Sequence, residues 1–171
     1  MTDLARHDQR IADLLARLDE AGNRLATRLE GAGDRGNTAT AGWSAAQVGA
    51  HVALVNAEFA ALLDGTTTVA APPADDFVER PWADIARDIP DRVEAPARLA
   101  PPADITVREA AARLRNSTAR LRTAIATLSP DRASHCFTNR RVGTITLYQV
   151  GDWAIAHMIR HNQQAKRILG Q

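Results

Sequence analysis

Three segments of this chain begin with the same short polar pattern and continue with apolar residues at helical spacing. The pattern is a serine or threonine followed three positions later by glutamine or glutamate, a capping box that satisfies free backbone groups at a helix start. It occurs as SAAQ at Ser44, TVRE at Thr106 and TLYQ at Thr146. A further apolar period runs from about Asp3 to Leu29, ahead of all three. The sequence therefore predicts four long amphipathic helices.

The connection between the second and third predicted helices is long and carries most of the prolines, which excludes one regular helix. Its prolines are Pro72, Pro73, Pro81, Pro90, Pro96, Pro101 and Pro102. Within it we predict a short helix from Trp82 to Asp88. The second helix is expected to end near Leu63, the third after Leu128 and the fourth near Leu169, with short extended pieces between the last two.

A connection of this length can span a whole bundle, so the second and third helices are free to run parallel. The pattern predicts an all-α fold, a four-helix bundle with a long crossover between helices 2 and 3. At 171 residues, we expect a single domain over residues 1–171 that needs no structural metal.

Composition narrows the classes of partner and compartment. The formal net charge is +1 and no basic stripe with interleaved aromatics is present, so nucleic acid is not expected as a partner. Neither a secretory segment nor an apolar run long enough to cross a bilayer is evident, so no membrane partner is expected either. Cys136 is the only cysteine, which suits a reducing compartment and an inert loop thiol. We therefore expect a cytoplasmic protein.

Three histidines lie within the predicted apolar stripes. His51 is in the second helix, and His157 and His161 are one helical turn apart in the fourth. Burying three imidazoles without partners would be costly, which favours a divalent metal ion held by all three. Two alternatives stay open: a core histidine hydrogen-bonded to a carbonyl, and a chance histidine pair on an exposed helix. The other two histidines, His7 and His135, are expected at the surface.

Other side chains are candidates for roles around these histidines. Glu58 lies seven residues after His51, on roughly the same helix face, where it could act as a catalytic base or orient a ligand. Pairing with an arginine is the alternative for Glu58. Gln164 and Asp152 are candidates for the same roles as Glu58. The tryptophans could wall a pocket or pack in the core; they are Trp43, Trp82 and Trp153.

The sequences GWSAAQVGAHVALVNAEF and TLYQVGDWAIAHMIRHNQQAKRIL resemble the DinB-like, YfiT-type family. In that family the second helix begins with a Trp-Ser pair and carries a metal-binding histidine. The last helix carries a histidine pair followed by glutamine and an aliphatic residue. The resemblance spans the chain and implies a bacterial four-helix bundle whose ligands, carried over here, are His51, His157 and His161. It also implies zinc or nickel as the ion.

Several members of the family are similar to thiol S-transferases that use bacillithiol or mycothiol. The resemblance therefore implies a small thiol and a small electrophile as partners. Others resemble a mycothiol-dependent isomerase, but isomerase-like members tend to have a carboxylate where this chain has His157, which disfavours isomerisation. A metal-dependent hydrolase, a non-catalytic metal-binding scaffold and a dimeric interaction protein remain as alternatives. A homodimer is expected.

Overall fold

The computed structural model describes residues 2–39, 42–67, 69–90 and 95–171. Helices account for most of the described residues, and two short antiparallel strands form a hairpin before the last helix. The elements are α1 (Asp3–Ala32), α2 (Ala45–Leu63), α3 (Trp82–Asp88), α4 (Val107–Ala126), α5 (Pro130–Ser134), β1 (Cys136–Asn139), β2 (Gly143–Thr146) and α6 (Leu147–Ile168). Short 3₁₀ helices lie at Gly33–Asn37 and Ala97–Leu99. The predicted all-α fold is confirmed.

All three predicted capping boxes are formed. In each, the N-cap hydroxyl accepts from the backbone N–H three residues on, and the side chain there accepts from the N-cap backbone N–H. The pairs are Ser44 with Gln47, Thr106 with Glu109, and Thr146 with Gln149. Each box satisfies free backbone N–H groups and fixes where its helix begins.

The four long helices form a ring in which α1 and α2 each pack against both α4 and α6. α2 and α4 run parallel, since Gly49 faces Ala110 near their starts and Arg120 pairs with Asp64 near their ends. α1 is antiparallel to α4, because Glu30 near the end of α1 pairs with Arg115 in the first half of α4. The predicted crossover and parallel arrangement are confirmed, while a single domain over residues 1–171 stays a prediction.

Two helix ends differ slightly from the prediction. α1 continues past Leu29 to Ala32 and stops at Gly33, whose φ of 53° is a conformation that glycine adopts without strain. α4 ends at Ala126, before Leu128, although the Leu128 side chain remains in the core. The predicted short helix at Trp82–Asp88 is present, and the predicted extended pieces are β1 and β2.

One described helix, α2, is apolar enough to span a membrane by length and composition, which corrects the expectation of no such run. The mean hydropathy of its most apolar window is 1.3, and 72% of that window is buried inside the bundle. Because α2 contacts both α4 and α6, its apolar residues are covered on more than one side. A helix that is apolar on nearly every face is typical of the centre of a helical bundle.

Gly49 permits the close approach of α2 to α1 and α4. A Cβ atom at Gly49 would lie 2.4 Å from Cδ1 of Leu29, whose side chain is fully buried, so the packing around Leu29 would have to shift. We expect Gly49→Ala to lower the free energy of unfolding by about 1 to 3 kcal/mol through overpacking. Urea unfolding of the metal-free protein measures this change.

Gly31 is the matched control for that substitution. It is also helical, but nothing lies within 4 Å of an added Cβ atom. Gly31→Ala should therefore raise the free energy of unfolding by roughly 0.5 to 1 kcal/mol, because alanine loses less backbone entropy than glycine. Equal effects of the two substitutions would contradict the close helix contact at Gly49.

Candidate metal centre

α2 and α6 bring the three predicted histidines together. These helices are antiparallel, since Phe59 near the end of α2 packs on Trp153 near the start of α6. His51 therefore meets α6 beyond its first turns, where the ring centroids of His157 and His161 lie 5.2 and 4.9 Å from the His51 ring. The two α6 rings are 4.3 Å apart.

The ligand atoms of these residues form one compact group. One nitrogen from each ring lies within 4.8 Å of the other two. An i, i+4 pair on one helix and a facing residue on another helix can reach one ion from different directions. The predicted convergence of the three histidines is therefore present, while metal ligation by them stays a prediction.

Burial keeps the imidazoles neutral. Desolvation lowers the pKa of His51, which the hydrogen bond to the Leu99 carbonyl partly offsets. Desolvation, followed by the charges of the neighbouring histidines and of Arg160 and Arg141, holds the pKa of His157 well below its ordinary value. Mainly through desolvation, the pKa of His161 falls to about 4. Near neutral pH the three rings are uncharged, which is the form that binds metal ions.

Two of the rings are oriented by outer hydrogen bonds. Nδ1 of His51 lies 2.9 Å from the backbone carbonyl of Leu99, and Nδ1 of His161 lies 2.8 Å from Oε1 of Gln164. A carbonyl oxygen can only accept, so Nδ1 donates in both pairs and Nε2 keeps its lone pair. This is the arrangement that orients metal-binding histidines in proteins. Gln164, a candidate from the sequence, thus contacts His161 directly.

His157 has no such partner. Its Nδ1 atom is buried and lacks a hydrogen bond within the described part of the chain. A buried polar nitrogen without a partner is destabilising, and native proteins rarely keep one without a compensating group. The unpartnered nitrogen and the set of three neutral imidazoles together fit a divalent cation, so the residues present suit the metal that the fold resemblance implies.

The remaining candidates surround the cluster at different distances. The Trp43 ring lies against His51, with centroids 4.9 Å apart, and so borders the site. Trp153 instead packs on Phe59, toward the other end of α2. Asp152 faces α1, where it accepts from Arg17 at 2.7 Å, and it does not join the cluster.

Glu58 lies in a two-point ion pair with Arg98 of the crossover. Nε and Nη2 of Arg98 donate to its two carboxylate oxygens at 2.9 and 2.7 Å. Pairing with an arginine is the alternative that the sequence leaves open for this residue. A catalytic role of Glu58 stays a prediction, and it would require that this pair open.

The other histidines and the cysteine lie outside the cluster. His7 and His135 were expected at the surface, but both are partly buried: Nδ1 of His7 lies 2.6 Å from the Tyr148 hydroxyl, and Nδ1 of His135 is buried. Cys136, expected in a loop, begins β1. Burial, with the charge of Glu79, raises the pKa of its thiol, which disfavours the reactive thiolate form.

A surface cavity of about 430 Å³ lies beside β1, away from the histidines. It is lined mainly by residues of the hairpin and of the segment that follows α2, including Val69, Phe137 and Cys136. None of its lining residues belongs to the histidine cluster. Within the cluster, His51 is 5% exposed and His161 is 9% exposed, whereas His157 is only partly buried.

Among the described residues, the Leu99 carbonyl is a contact to the cluster that sequence analysis missed. It is a backbone atom in a proline-bearing crossover, so no side-chain pattern marks it. The only usable signal was the length of the crossover, which is typical of functional connections but does not indicate which residue returns to the site.

Comparison with known proteins agrees with this architecture. A sequence model described as the DinB superfamily matches residues 4–165, nearly the whole chain. No curated protein matches the chain.

Proposed function

The chain belongs to the DinB superfamily, and we propose that it is a metal-dependent enzyme that joins a small thiol to a small electrophile. The observation that carries this proposal is the convergence of His51, His157 and His161. Three protein nitrogens leave a position open on a four-coordinate ion, as in catalytic sites, whereas structural sites use four protein ligands. We propose zinc or nickel, since imidazole suits both ions.

The residues of the chain have distinct roles in this proposal. When bound, a divalent ion would supply a Lewis acid that lowers the pKa of a thiol at its open position. The three neutral imidazoles offer the lone pairs that hold the ion, and their low pKa values reduce competition from protons. The Leu99 carbonyl and the Gln164 side chain orient two of the rings. The Trp43 ring lies against His51 and borders the site.

The setting of the proposed reaction rests on the sequence. A single cysteine supports a reducing, cytoplasmic compartment, which is also where low-molecular-weight thiols are kept reduced. We further propose a homodimer, because closed two-fold dimers are the commonest oligomers. Light scattering of the purified protein measures that state directly.

A second candidate function is a non-catalytic metal-binding scaffold. The low exposure of His51 and His161 favours it, because a thiol and an electrophile both need room to reach the ion. In a scaffold the metal would be bound, but no added thiol would become more nucleophilic.

A conjugation assay separates the two functions. The metal-loaded protein is mixed with bacillithiol, mycothiol or cysteine and with monochlorobimane, and fluorescence reports the product. The thiol sulfur attacks the chloromethyl carbon, the S–C bond forms, the C–Cl bond breaks, chloride leaves with the electron pair, and the thiol proton passes to solvent.

We expect metal-dependent acceleration with at least one of these thiols, and loss of that acceleration in His157→Ala. His135→Ala is the matched control, since it removes a partly buried histidine outside the cluster. Stoichiometric metal with no acceleration by any of the thiols would reject the transferase and leave the scaffold.

A further inference from the structure

Residues 96–103 of the crossover lie along α2 as a strap. Arg98 pairs with Glu58, the Leu99 carbonyl accepts from His51, and the carbonyls of residues 102 and 103 lie 3.4 Å from Nε2 of Gln47. Successive residues of the strap therefore contact α2 at positions successively closer to its start. The middle contact of the three is a histidine of the candidate metal centre.

The Arg98–Glu58 pair and the Leu99–His51 hydrogen bond belong to one short turn. Ala97–Leu99 is a single 3₁₀ turn, closed by a 2.8 Å hydrogen bond from the Leu99 N–H to the Pro96 carbonyl. Since Arg98 and Leu99 are adjacent in this tight turn, fixing one residue restricts where the carbonyl of the other can lie. The Leu99 side chain, packed against the core, is the second anchor of the turn.

The Arg98–Glu58 ion pair has a geometry that can hold two segments in a fixed relative position even where the pair is exposed. Both nitrogens of the Arg98 fork that face Glu58 donate, one to each carboxylate oxygen, at 2.9 and 2.7 Å. Two parallel hydrogen bonds fix direction as well as distance, which a single contact does not. Glu58 is itself fixed, because it lies on α2 two turns beyond His51.

We propose that Arg98 and Glu58 are positioning residues of the metal centre, which hold the Leu99 carbonyl on Nδ1 of His51 and so present its other ring nitrogen to the ion. This rests on the metal site of the proposed function. It assigns Glu58 a role in holding the strap to α2, in place of the catalytic base that its spacing from His51 suggested. By linkage, the ordered strap favours metal binding, and bound metal favours the ordered strap.

The sign of one substitution distinguishes positioning from simple electrostatics. Arg98→Gln removes a positive charge from the neighbourhood of a cation site, so Coulomb's law alone predicts tighter metal binding. Loss of positioning predicts weaker binding, because the His51 ring is then free to rotate away. The two explanations therefore predict opposite changes in the same measured quantity.

The test is the zinc affinity of the purified full chain, measured by competition with a chromogenic chelator. We expect Arg98→Gln to weaken zinc binding roughly threefold to tenfold, less than the 10–100-fold of partners that touch a ligand directly. Arg115→Gln is the matched control, since Arg115 makes the same two-point contact with Glu30 between α1 and α4. It should leave the zinc affinity within about twofold of the wild type.

A charge swap distinguishes the loss of positioning from a general loss of stability. The double variant Arg98→Glu with Glu58→Arg rebuilds the pair in reverse and should restore the zinc affinity to within about twofold. Unchanged or tighter binding in Arg98→Gln, in a wild type that binds zinc, would overturn the positioning role alone. Absence of zinc binding by the wild type would overturn the metal site as well. Weakened binding by Arg98→Gln in a protein that conjugates no thiol would overturn only the transferase.

Discussion

Replacing His157 by alanine is expected to reduce the bound metal from about one ion per chain to background, because two imidazoles do not complete a zinc or nickel site. His157 supplies one of the three nitrogens, and its turn of α6 also sets the spacing to His161. Removing it leaves His51 and His161 on separate helices. The measurement is metal content by mass spectrometry on untagged protein.

Two controls make that result specific. His135→Ala should keep the metal, since His135 lies outside the cluster. Circular dichroism should show the same helix content in both variants, because the core around α6 does not depend on the imidazole. No metal in the wild type, even after incubation with zinc or nickel, would contradict the ligand assignment and leave the three histidines as core residues.

The metal-free protein is expected to lose stability as the pH falls from about 6.5 toward about 4. The pKa of His161 is about 4 in the folded chain, below its ordinary value of 6.5. Between these values the unfolded chain binds more protons, so the free energy of unfolding falls as the pH falls. At 1.36 kcal/mol per pKa unit, the shift of His161 alone lowers the free energy of unfolding by roughly 3 kcal/mol by about pH 4. The lowered pKa values of His51 and His157 act in the same direction.

Urea unfolding of chelator-treated protein at several pH values measures this loss. His161→Gln is the informative variant, since glutamine is polar and does not titrate; its stability should depend less steeply on pH than that of the wild type. The carboxylates with lowered pKa values, Glu30, Asp64 and Glu109, titrate in a more acidic range and contribute little to this window. Identical slopes for the two proteins would show that His161 is not buried as a neutral ring.

The helix starts and the three histidines could be predicted from the sequence because each has a local chemical signature. A capping box is complete within four residues, as at Ser44 and Gln47, so tertiary structure does not alter it. The histidine pair is fixed by helical spacing. Predicting that His51 meets α6 required the correct packing of the helices. The apolar stripes indicated that packing, and the structure confirms it.

The surroundings of the site depended on tertiary contacts that leave no local pattern. The Leu99 carbonyl returns to His51 because the crossover follows α2, and any residue could provide that oxygen. Burial of His135 follows from its place between α5 and β1, a packing detail that a polar sequence concealed. Helix spacing placed Glu58 near His51 but could not show that an arginine forty residues away would occupy its carboxylate.

The order of the helices around the bundle affects how fast this chain folds. In the described parts of the chain, no two long helices joined by a short connection share a large face, because α1 packs mainly on α4 and α6. Every major interface must close a long loop, and the entropy of closure opposes early helix pairing. We therefore expect slower folding than in an up-and-down bundle of equal length. His51 and the α6 pair lie far apart along the chain, so one metal ion can bind all three only after α2 and α6 have packed together. Uptake of a metal ion would therefore report that this long-range interface has formed.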